Sequence, residues 1–436
     1  MEPNIPKTGQ KRIVIIGGGF AGLSLARKLN KSDFQILILD KNNYHQFQPL
    51  LYQVSTSGLE ANAISFPFRK IFQGHKNTSV RVCEVLGIET EKNLIKTDIG
   101  TIEYDYLVLA IGTTNNFFGN QHIADQALSM KSVSEALLIR NTLLENLEKA
   151  VLTNDEDEKN GLLNIVIVGG GPTGTEIAGT LAEMRNKILP KDYPEINFAE
   201  MKIHLVEGSS NVLNSMAPVS KAKAHEYLIN LGVITHMNSL VKDFDGKQVF
   251  LEDGNTIRSS TLIWAAGVTG NKINGINPES IGKAGRFWVD SKFKIKNYSN
   301  IFAIGDIALL PTELFPNGFP QLAAVALQQG TFLAENFWKL SKKQPLKDFK
   351  YVNKGVMATV GRNKAVVELP FLNFHGFFAW LTWMVVHLLL TLGVKNRIVI
   401  FINWFWSYFT FDQSLRLIIK PKIKKLESPV PKVLMV

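Results

Sequence analysis

Two short glycine turns, 152 residues apart, constrain the fold of this 436-residue chain more than any other sequence feature. They occupy residues 17–22 and 169–174, and both have the spacing Gly-x-Gly-x-x-Gly. Each turn follows a run of aliphatic, mostly β-branched residues and precedes a helical pattern. A strand, a glycine turn and a helix in this order form a dinucleotide-binding fingerprint. The chain is therefore predicted to bind two dinucleotides and to transfer electrons between them.

The three glycines of each fingerprint have separate mechanical roles. The first makes the tight turn after the strand, the second lets the backbone approach a diphosphate, and the third lets the helix pack closely on the sheet. The diphosphate then lies at a helix N-terminus, where unpaired N–H groups and the helix dipole favour negative charge. The residues predicted to contact the two dinucleotides are Gly17, Gly18, Gly19, Phe20, Ala21 and Gly22 in the first turn, and Gly169, Gly170, Gly171, Pro172, Thr173 and Gly174 in the second.

An acidic residue ends the predicted second strand of each unit. Asp40 lies 23 residues after Gly17, and Glu207 lies 38 residues after Gly169. An acid at this place binds a ribose diol and disfavours a 2′-phosphate, so Glu207 predicts NADH rather than NADPH. The longer second spacing predicts a longer helix and loop between residues 181 and 200.

The formal net charge of +10 is concentrated near the C-terminus. From Lys395 onward the sequence has eight Lys or Arg and two Asp or Glu. A basic tail beside an aromatic segment favours an anionic membrane surface over nucleic acid as the partner. A solvated tail is the alternative interpretation.

Cys83 is the only cysteine, so no intrachain disulfide can form. This suits a reducing compartment, and residues 1–12 lack the apolar run of a signal peptide. The two observations predict the cytoplasmic face of the cell's inner membrane. A single cysteine also excludes flavoenzymes that use a dithiol pair and sulfide oxidation through a persulfide relay. Cys83 itself is predicted to lie in a buried strand.

The order of the apolar strands predicts that the second nucleotide unit is inserted into the first. The first unit spans residues 11–110 and the second spans residues 163–270. A strand ending in Gly305 and Asp306 follows. A helical pattern then runs from Gln321 to Leu340. Residues 155–161 are predicted to form a charged, solvated turn at the domain boundary. The predicted division is 1–115 with 287–350 for the first domain, 116–286 for the second, and 351–436 for a C-terminal region.

The strand ending in Gly305 and Asp306, together with two nucleotide units, resembles the two-dinucleotide-binding flavoprotein superfamily. In that superfamily the aspartate binds a ribityl hydroxyl of FAD. More narrowly, the chain resembles type II NADH:quinone oxidoreductases from about residue 11 to residue 418. The matching stretches are residues 44–54, 174–176, 354–362, 376–380 and 403–408. The resemblance implies an α/β fold with two Rossmann-like dinucleotide-binding domains, the second inserted in the first, plus a C-terminal membrane-associated helical segment.

The function implied by the resemblance is oxidation of NADH through bound FAD, with reduction of a membrane quinone to quinol. A single interfacial anchor offers no ion channel, so no proton pumping is predicted, and family members often form homodimers. Because the flavin supplies the chemistry, no nucleophile or catalytic base is needed. Two alternatives remain open: a soluble NAD(P)H-dependent reductase of a small protein such as ferredoxin or rubredoxin, and a non-enzymatic flavin-bound sensor.

The resemblance also assigns residues to the three ligands beyond the glycine turns. For FAD these are Asp40, Lys41, His45, Gln48, Val85, Ala110, Gly112, Gly305, Asp306, Gln321, Leu322, Ala323 and Lys354. For NADH they are Glu176, Glu207, Ala266 and Gly267, and for the quinone Gln321, Ala324, Leu327 and Gln328. His45 and Gln48 are expected in a polar loop, and Lys354 is either near the flavin or a surface lysine. The eight His and one Cys show no ligand spacing, so no metal is predicted.

Glu176 is implied by the resemblance as the catalytic residue at the contact between flavin and nicotinamide. It is expected in the first turn of the second fingerprint helix, where an acid also suits the helix dipole. In the segment before the last FAD-domain helix, many family members carry Ala-Gln where this chain has Ala323 and Ala324. Gln321 or Gln328 is the candidate replacement for the missing glutamine.

The C-terminal segment contains 26 residues without a formal charge, from 369 to 394. This length exceeds the roughly 18 residues of a transmembrane candidate, but Pro370, Asn373, His375 and His387 interrupt it. Aromatic residues with basic flanks favour a helix lying in the membrane interface. A spanning helix and a buried dimer element are the alternatives.

Overall fold

A computed structural model of the chain describes residues 3–6, 8–412 and 415–419. The strands are, in chain order, β1 (Arg12–Ile16), β2 (Gln35–Asp40), β3 (Tyr44–Gln46), β4 (Ser65–Pro67), β5 (Thr78–Val82), β6 (Val85–Glu89), β7 (Leu94–Thr97), β8 (Gly100–Glu103), β9 (Tyr106–Leu109), β10 (Thr113–Asn115), β11 (Leu128–Ser129), β12 (Ile165–Val168), β13 (Ile203–Glu207), β14 (Val233–Met237), β15 (Val241–Phe244), β16 (Gln248–Leu251), β17 (Thr256–Arg258), β18 (Thr261–Trp264), β19 (Val268–Gly270), β20 (Phe287–Trp288), β21 (Ile301–Ala303), β22 (Ala308–Leu309), β23 (Val356–Thr359), β24 (Ala365–Leu369) and β25 (Leu372–His375). The helices are α1 (Phe20–Lys28), α2 (Leu51–Ser55), α3 (Phe68–Ile71), α4 (Gln121–Gln126), α5 (Val133–Leu152), α6 (Glu156–Leu163), α7 (Pro172–Glu183), α8 (Leu189–Asp192), α9 (Pro218–Asn230), α10 (Ala323–Ser341), α11 (Phe377–Leu390) and α12 (Val394–Thr410).

The first sheet is parallel and has the strand order β21-β9-β1-β2-β5 among the described residues. Its central strands are fully buried, which explains their continuous aliphatic sequence, because both faces of a parallel sheet are covered. Helix α1 packs on α10, where the Ser24 hydroxyl bonds to the Leu327 carbonyl at 3.2 Å. The edge strand β21 comes from the part of the chain that follows the second sheet.

The second sheet is also parallel, with the order β11-β18-β12-β13-β14 among the described residues. Helix α7 follows β12 directly and continues through a π-helical segment, Met184–Ile188, into α8. The two passages of the chain between the sheets pair as an antiparallel ribbon of β10 and β19. The predicted fold class, with one nucleotide-binding unit inserted in the other, is therefore confirmed.

Three local expectations need correction. Residues 155–161 do not form a turn, because Asp155 caps α6 by accepting the backbone N–H groups of Asp157 and Glu158. Acids in a first helical turn complement the dipole, so this charged run starts a helix. Cys83 is buried as expected but lies just after β5 rather than within a strand. Helix α10 begins at Ala323, and Gln321 lies two residues before it, outside any helix or strand.

The C-terminal region forms an antiparallel sheet, β23-β24-β25, followed by α11 and α12. The uncharged run of 26 residues is divided between the β24–β25 hairpin and the 14 residues of α11. A helix of that length extends about 21 Å, short of the roughly 30 Å hydrocarbon core. In residues 3–6, 8–412 and 415–419, the structure has no helix with the length and apolar character of a membrane span.

Candidate functional site

The first glycine turn joins β1 to α1 and starts at Gly17, whose φ of +99° favours glycine. A side chain at Gly17 would collide with the Ala110 carbonyl, and one at Gly22 would collide with the Gly17 carbonyl. A Cβ placed on Gly19, by contrast, would meet no atom within 4 Å. The turn is therefore packed at both ends and open in the middle, at the N-terminus of α1.

The second glycine turn is built in the same way between β12 and α7. Gly169 has a φ of +105°, and a side chain there would collide with the Ala265 carbonyl. A Cβ on Gly174 would collide with the Gly169 carbonyl, whereas one on Gly171 would meet nothing within 4 Å. Both turns thus leave an open cradle of backbone N–H groups at a helix N-terminus, as a diphosphate requires.

The two acids at the strand ends hold these turns through matching hydrogen bonds. Asp40 accepts the Gly18 backbone N–H at 2.7 Å, and Glu207 accepts the Gly170 backbone N–H at 2.5 Å. The other oxygen of each carboxylate accepts the N–H two residues further on, at 2.8 Å in both cases. Burial raises the pKa of Asp40, and its two backbone hydrogen bonds oppose that rise.

His45 is buried in β3, so the expectation of a polar loop is wrong for this residue. Its Nδ1 lies 2.9 Å from the Gly18 carbonyl, so Nδ1–H donates to that oxygen. Burial lowers the pKa of His45 to about 4, which keeps the ring neutral. His45 therefore braces the back of the first glycine turn. Gln48 is exposed and donates to the Lys131 carbonyl at 3.3 Å.

Asp306 lies in a partly buried charged cluster that the sequence analysis did not find. The cluster contains Lys131 and Arg286, whose charges lower the pKa of Asp306 while burial, the larger effect, raises it. The Thr113 side chain also hydrogen-bonds toward the Asp306 carboxyl. Burial lowers the pKa of Lys131, and Asp306 opposes this shift. The preceding Gly305 donates its N–H to the buried Gln329 side chain at 2.6 Å.

Two glutamines near the start of α10 differ in how their amides are used. Gln321 donates to the Asp306 carbonyl at 3.1 Å, and no described residue occupies its oxygen. Gln328 donates to the Ala324 and Val352 carbonyls at 3.2 and 3.0 Å. Its oxygen accepts the Val352 N–H at 3.0 Å. Gln328 thus ties α10 to the following segment, while Gln321 keeps a free acceptor.

Glu176 lies in the second turn of α7 rather than the first, and its side chain is buried. An acid there is not at the positive end of the helix dipole, so that interpretation is wrong. Burial raises the pKa of Glu176 to about 8, although the Thr359 backbone and the Trp383 side chain lower it in part. The Trp383 indole N–H faces this carboxyl without a full hydrogen bond and is otherwise unpaired among the described residues. Glu176 is therefore mostly protonated at neutral pH.

Aromatic side chains join α11 and α12 to the Glu176 side of the molecule. Trp383 stacks on His387 with ring centroids 4.0 Å apart, and it contacts Tyr52 edge-on. The Trp404 indole N–H donates to the Gln53 side chain at 2.7 Å. The C-terminal helices are thus packed into the core by one face rather than attached loosely.

Arg362 adds a polar link between α7 and the end of α12. Its backbone N–H donates to Glu183, which lies two helical turns after Glu176. Its guanidinium donates to the Ser407 and Tyr408 carbonyls at 3.0 and 2.9 Å. Side chains near the C-terminus of a helix often satisfy its last carbonyls in this way.

The remaining assigned residues are distributed around these turns. Lys41 is exposed and pairs with Glu84 at 2.7 Å, and Lys354 is exposed before β23. Val85 begins β6 and is half-buried. The positions that line the sheet ends or the start of α10 are Ala110, Gly112, Ala266, Gly267, Leu322, Ala323, Ala324 and Leu327.

The outer faces of α11 and α12 expose large apolar side chains. On α12 these recur every three or four residues, which places them on one side of the helix. The exposed residues are Phe377, Phe378, Leu381, Val385, Leu389, Leu390, Val394, Ile398, Phe401, Ile402, Phe405, Trp406 and Phe409. We call these residues the apolar face. A continuous apolar surface of this kind indicates contact with a membrane or a protein partner.

The residues present fit FAD at the first turn and NADH at the second. The open glycines, the clamping acids and the helix N-termini provide the chemistry that two diphosphates and two ribose groups need. The described residues contain no group of three or more His, Cys, Asp or Glu side chains placed to hold a metal ion.

Comparison with known proteins agrees with this geometry. Residues 11–330 match the family model of pyridine nucleotide-disulphide oxidoreductases, and residues 353–410 match the NDH2 C-terminal domain. The chain is 34% identical to the type II NADH:quinone oxidoreductase NdhA of Mycobacterium tuberculosis over 417 residues, covering 92% of this chain and 87% of the relative. It is 32% identical to Ndh of the same organism, covering 92% and 89%. The structure of NDH2 from Plasmodium falciparum in complex with NADH superimposes with a TM-score of 0.85 at 22% identity, covering 94% of this chain and all of that one.

Proposed function

The chain belongs to the type II NADH:quinone oxidoreductases, and we propose that its first glycine turn binds the FAD of this enzyme and its second binds NADH. It oxidises NADH with FAD as cofactor and reduces a quinone. The residue assignment rests on the similar structure of the two turns. Each has an open central glycine, and the backbone N–H of the residue before that glycine donates to a carboxylate.

The chemistry that bound FAD supplies is two-electron transfer from the reduced nicotinamide to the quinone. The chain's own residues bind and orient the reactants. The partly buried Asp306, with Lys131 and Arg286 beside it, is proposed to receive the ribityl group, and Asp40 the ribose of the adenosine end. In the second unit, Glu207 is proposed to bind the NADH ribose and to exclude a 2′-phosphate through its charge.

Glu176 is proposed as the catalytic residue that holds a proton at its carboxyl oxygen. A carboxyl with a pKa of about 8 is a hydrogen-bond donor at neutral pH. It can therefore donate to a nicotinamide amide or pass a proton toward a quinone that is gaining two electrons. Burial of the carboxyl is the cause of the raised pKa, and the Trp383 side chain beside it opposes this rise in part.

Gln321, Ala324 and Leu327 are proposed to contact the quinone at the start of α10. Ala324 stands where many family members have a glutamine. The free side-chain oxygen of Gln321 is proposed to take the place of that missing amide. Gln328 lies one helical turn after Ala324 and is proposed to hold α10 in place rather than to contact the quinone. Both its amide N–H and its amide oxygen are bonded to the Val352 backbone.

The apolar face is proposed to lie in the surface of a membrane, on its cytoplasmic side, and to admit the quinone from the lipid. Lys395 and Arg397 at the start of α12 would then contact anionic headgroups. A homodimer, no nucleic-acid partner and no proton pumping are further parts of this proposal, and the homodimer rests on the family resemblance alone. The division into domains at residues 115/116, 286/287 and 350/351 is part of this proposal.

A double substitution of Phe405 and Phe409 by glutamate tests the membrane assignment, because both side chains are exposed and their loss leaves the core intact. Wild-type protein should float with vesicles that contain anionic lipid, and the double variant should remain in the soluble fraction. The NADH:ferricyanide activity should be equal in both proteins, while reduction of a long-chain quinone should fall at least about tenfold in the variant. A soluble reductase of a protein acceptor would show neither difference.

The substitution of Leu152 and Leu314 by glutamate is a matched control, because both side chains are exposed outside the apolar face. This control should leave vesicle binding and quinone reduction unchanged. Equal flotation of the Phe405 and Phe409 variant and this control would contradict the membrane assignment.

A further inference from the structure

Arg140 is a buried arginine whose charge has no partner among the residues that the structure describes. It lies in the middle of α5, and only 5% of its surface is exposed. Its Nε–H has no hydrogen-bond acceptor. Burial is the one cause that acts on the pKa of Arg140, and it lowers that pKa, so no described carboxylate offsets it. An uncompensated buried cation is strongly unfavourable.

Arg140 lines a cavity of about 20 Å³ between α2, α5 and α7. Apart from Arg140, its polar lining consists of Ser55 and Ser57, and the other lining residues are aliphatic side chains and methionines. A space of this size accommodates about one water-sized particle. It is too small for a carboxylic acid, a phosphate or a nucleotide.

Ser57 supplies a second hydrogen-bond donor without a partner at the same cavity. Its side chain is 1% exposed, and its hydroxyl bonds to no described residue. The residue has a φ of +61°, in the left-handed region just after α2. Ser55, by contrast, already donates its hydroxyl to the Tyr52 carbonyl at 2.8 Å. The two unpaired groups at the cavity, Arg140 and Ser57, can both donate.

We propose that this cavity binds one monatomic monovalent anion, of the size of chloride or bromide, between Arg140 and Ser57. An anion accepts from both donors and neutralises the guanidinium, whereas a water molecule would leave its charge uncompensated. The volume and the aliphatic lining select a small, weakly hydrated ion. The site is separate from the proposed FAD, NADH and quinone sites.

The anion would act on the packing of the second unit rather than on the reaction itself. The cavity is also lined by Leu181 and Met184, which lie at the end of α7 and the start of its π-helical continuation. Glu176 lies on the same helix. The bound ion would therefore hold α5 against the helix that carries the proposed catalytic residue.

Thermal unfolding of the full-length enzyme in sodium bromide and in sodium gluconate, at equal ionic strength, tests this proposal. Gluconate is too large for the cavity and serves as the non-binding anion. Bromide should raise the melting temperature of the wild type relative to gluconate in a saturable manner, by on the order of 2 °C or more. The Arg140→Met variant should lose this saturable rise, because it keeps the apolar stem and removes the donors.

Arg69→Met is the matched control, because Arg69 is exposed and does not line the cavity. It corrects for the general effect of each salt on protein stability. If the bromide response of Arg140→Met equals that of Arg69→Met, the proposal is wrong.

A direct measurement covers the case in which Arg140→Met does not fold. Wild-type crystals soaked in sodium bromide should show an anomalous-scattering peak between Arg140 and Ser57 at the bromine absorption edge. A map with a water molecule, or nothing, at that position would overturn the proposal, even if bromide binds elsewhere on the surface.

Discussion

The Gly170 backbone amide donates a hydrogen bond to Glu207 at 2.5 Å, so the acid that ends β13 is tied to the second glycine turn. The Glu207→Gln variant keeps an acceptor for this amide and removes the negative charge. We expect it to retain NADH oxidation and to reduce the preference for NADH over NADPH at least about tenfold, which corresponds to about 1.4 kcal/mol. The ratio of kcat/KM for the two nucleotides is the measurement.

Glu252→Gln is the control for this change, since Glu252 is exposed in the same unit. It should leave the preference unchanged. An unaltered preference in Glu207→Gln would show that its charge does not select the nucleotide.

Glu176 gives the stability of the protein a specific dependence on pH. Burial raises the pKa of this carboxyl to about 8 in the folded state, from about 4.5 when it is exposed. Between these values the folded chain holds a proton that the unfolded chain releases. The free energy of unfolding therefore falls as pH rises from about 4.5 to about 8, by about 1.4 kcal/mol per pH unit, and this trend ends above pH 8.

The Glu176→Gln variant should lack this trend. Wild type should lose about 2 to 3 kcal/mol relative to the variant between pH 5.5 and 7.5, measured by urea unfolding of both proteins. Burial lowers the pKa of His45 from 6.5 to about 4, so between these values the free energy of unfolding rises with pH. Both proteins share this contribution, and it cancels when they are compared. Parallel pH profiles of the two proteins would contradict the protonated state of Glu176.

Lys131 is expected to support FAD binding through Asp306. In Lys131→Met the partly buried Asp306 loses a neighbouring cation, and its pKa should rise further. We expect the Kd of the apoprotein for FAD, measured by quenching of flavin fluorescence, to increase at least about tenfold. Lys92→Met, which changes an exposed lysine paired with Glu89, should leave the Kd unchanged. Equal affinities in the two variants would exclude this role.

Substitution of Gln321 should affect the KM for the quinone, whereas substitution of Gln328 should affect the stability of the protein. Gln321→Ala is expected to raise the KM for a short-chain quinone about tenfold without changing NADH:ferricyanide activity. Gln328→Ala removes three hydrogen bonds to backbone and should lower stability by about 1 to 3 kcal/mol, with the quinone KM changed less than twofold. Steady-state kinetics and urea unfolding of both variants are the measurements. The reverse pattern would move the proposed quinone contact to Gln328.

The glycine turns and their acids were readable from the sequence because they are local. Gly17 and Gly19 are two residues apart, and the strand and helix on either side have clear periodicity. Features of this kind need no knowledge of tertiary packing.

The buried surroundings of the site depend on contacts between distant parts of the chain and could not be read in this way. Lys131 approaches Asp306 only after the second unit has been inserted, and no local pattern marks it as partly buried. His45 looks like a polar loop residue until the fold places Gly18 behind it. The 26 uncharged residues near the C-terminus have the length of a spanning helix, but the polar interruptions noted in the sequence do not predict that β25 pairs with β24 and takes the first part of that run.

The central claim is that one chain holds a flavin and a reduced nicotinamide so that electrons pass from NADH through FAD to a quinone. The direct measurement is the absorption spectrum of the full-length protein purified from detergent-solubilised membranes. We expect a yellow protein that NADH bleaches under anaerobic conditions and whose colour a quinone restores. A correctly folded protein that takes up no flavin, or one whose flavin NADH does not bleach, would contradict it.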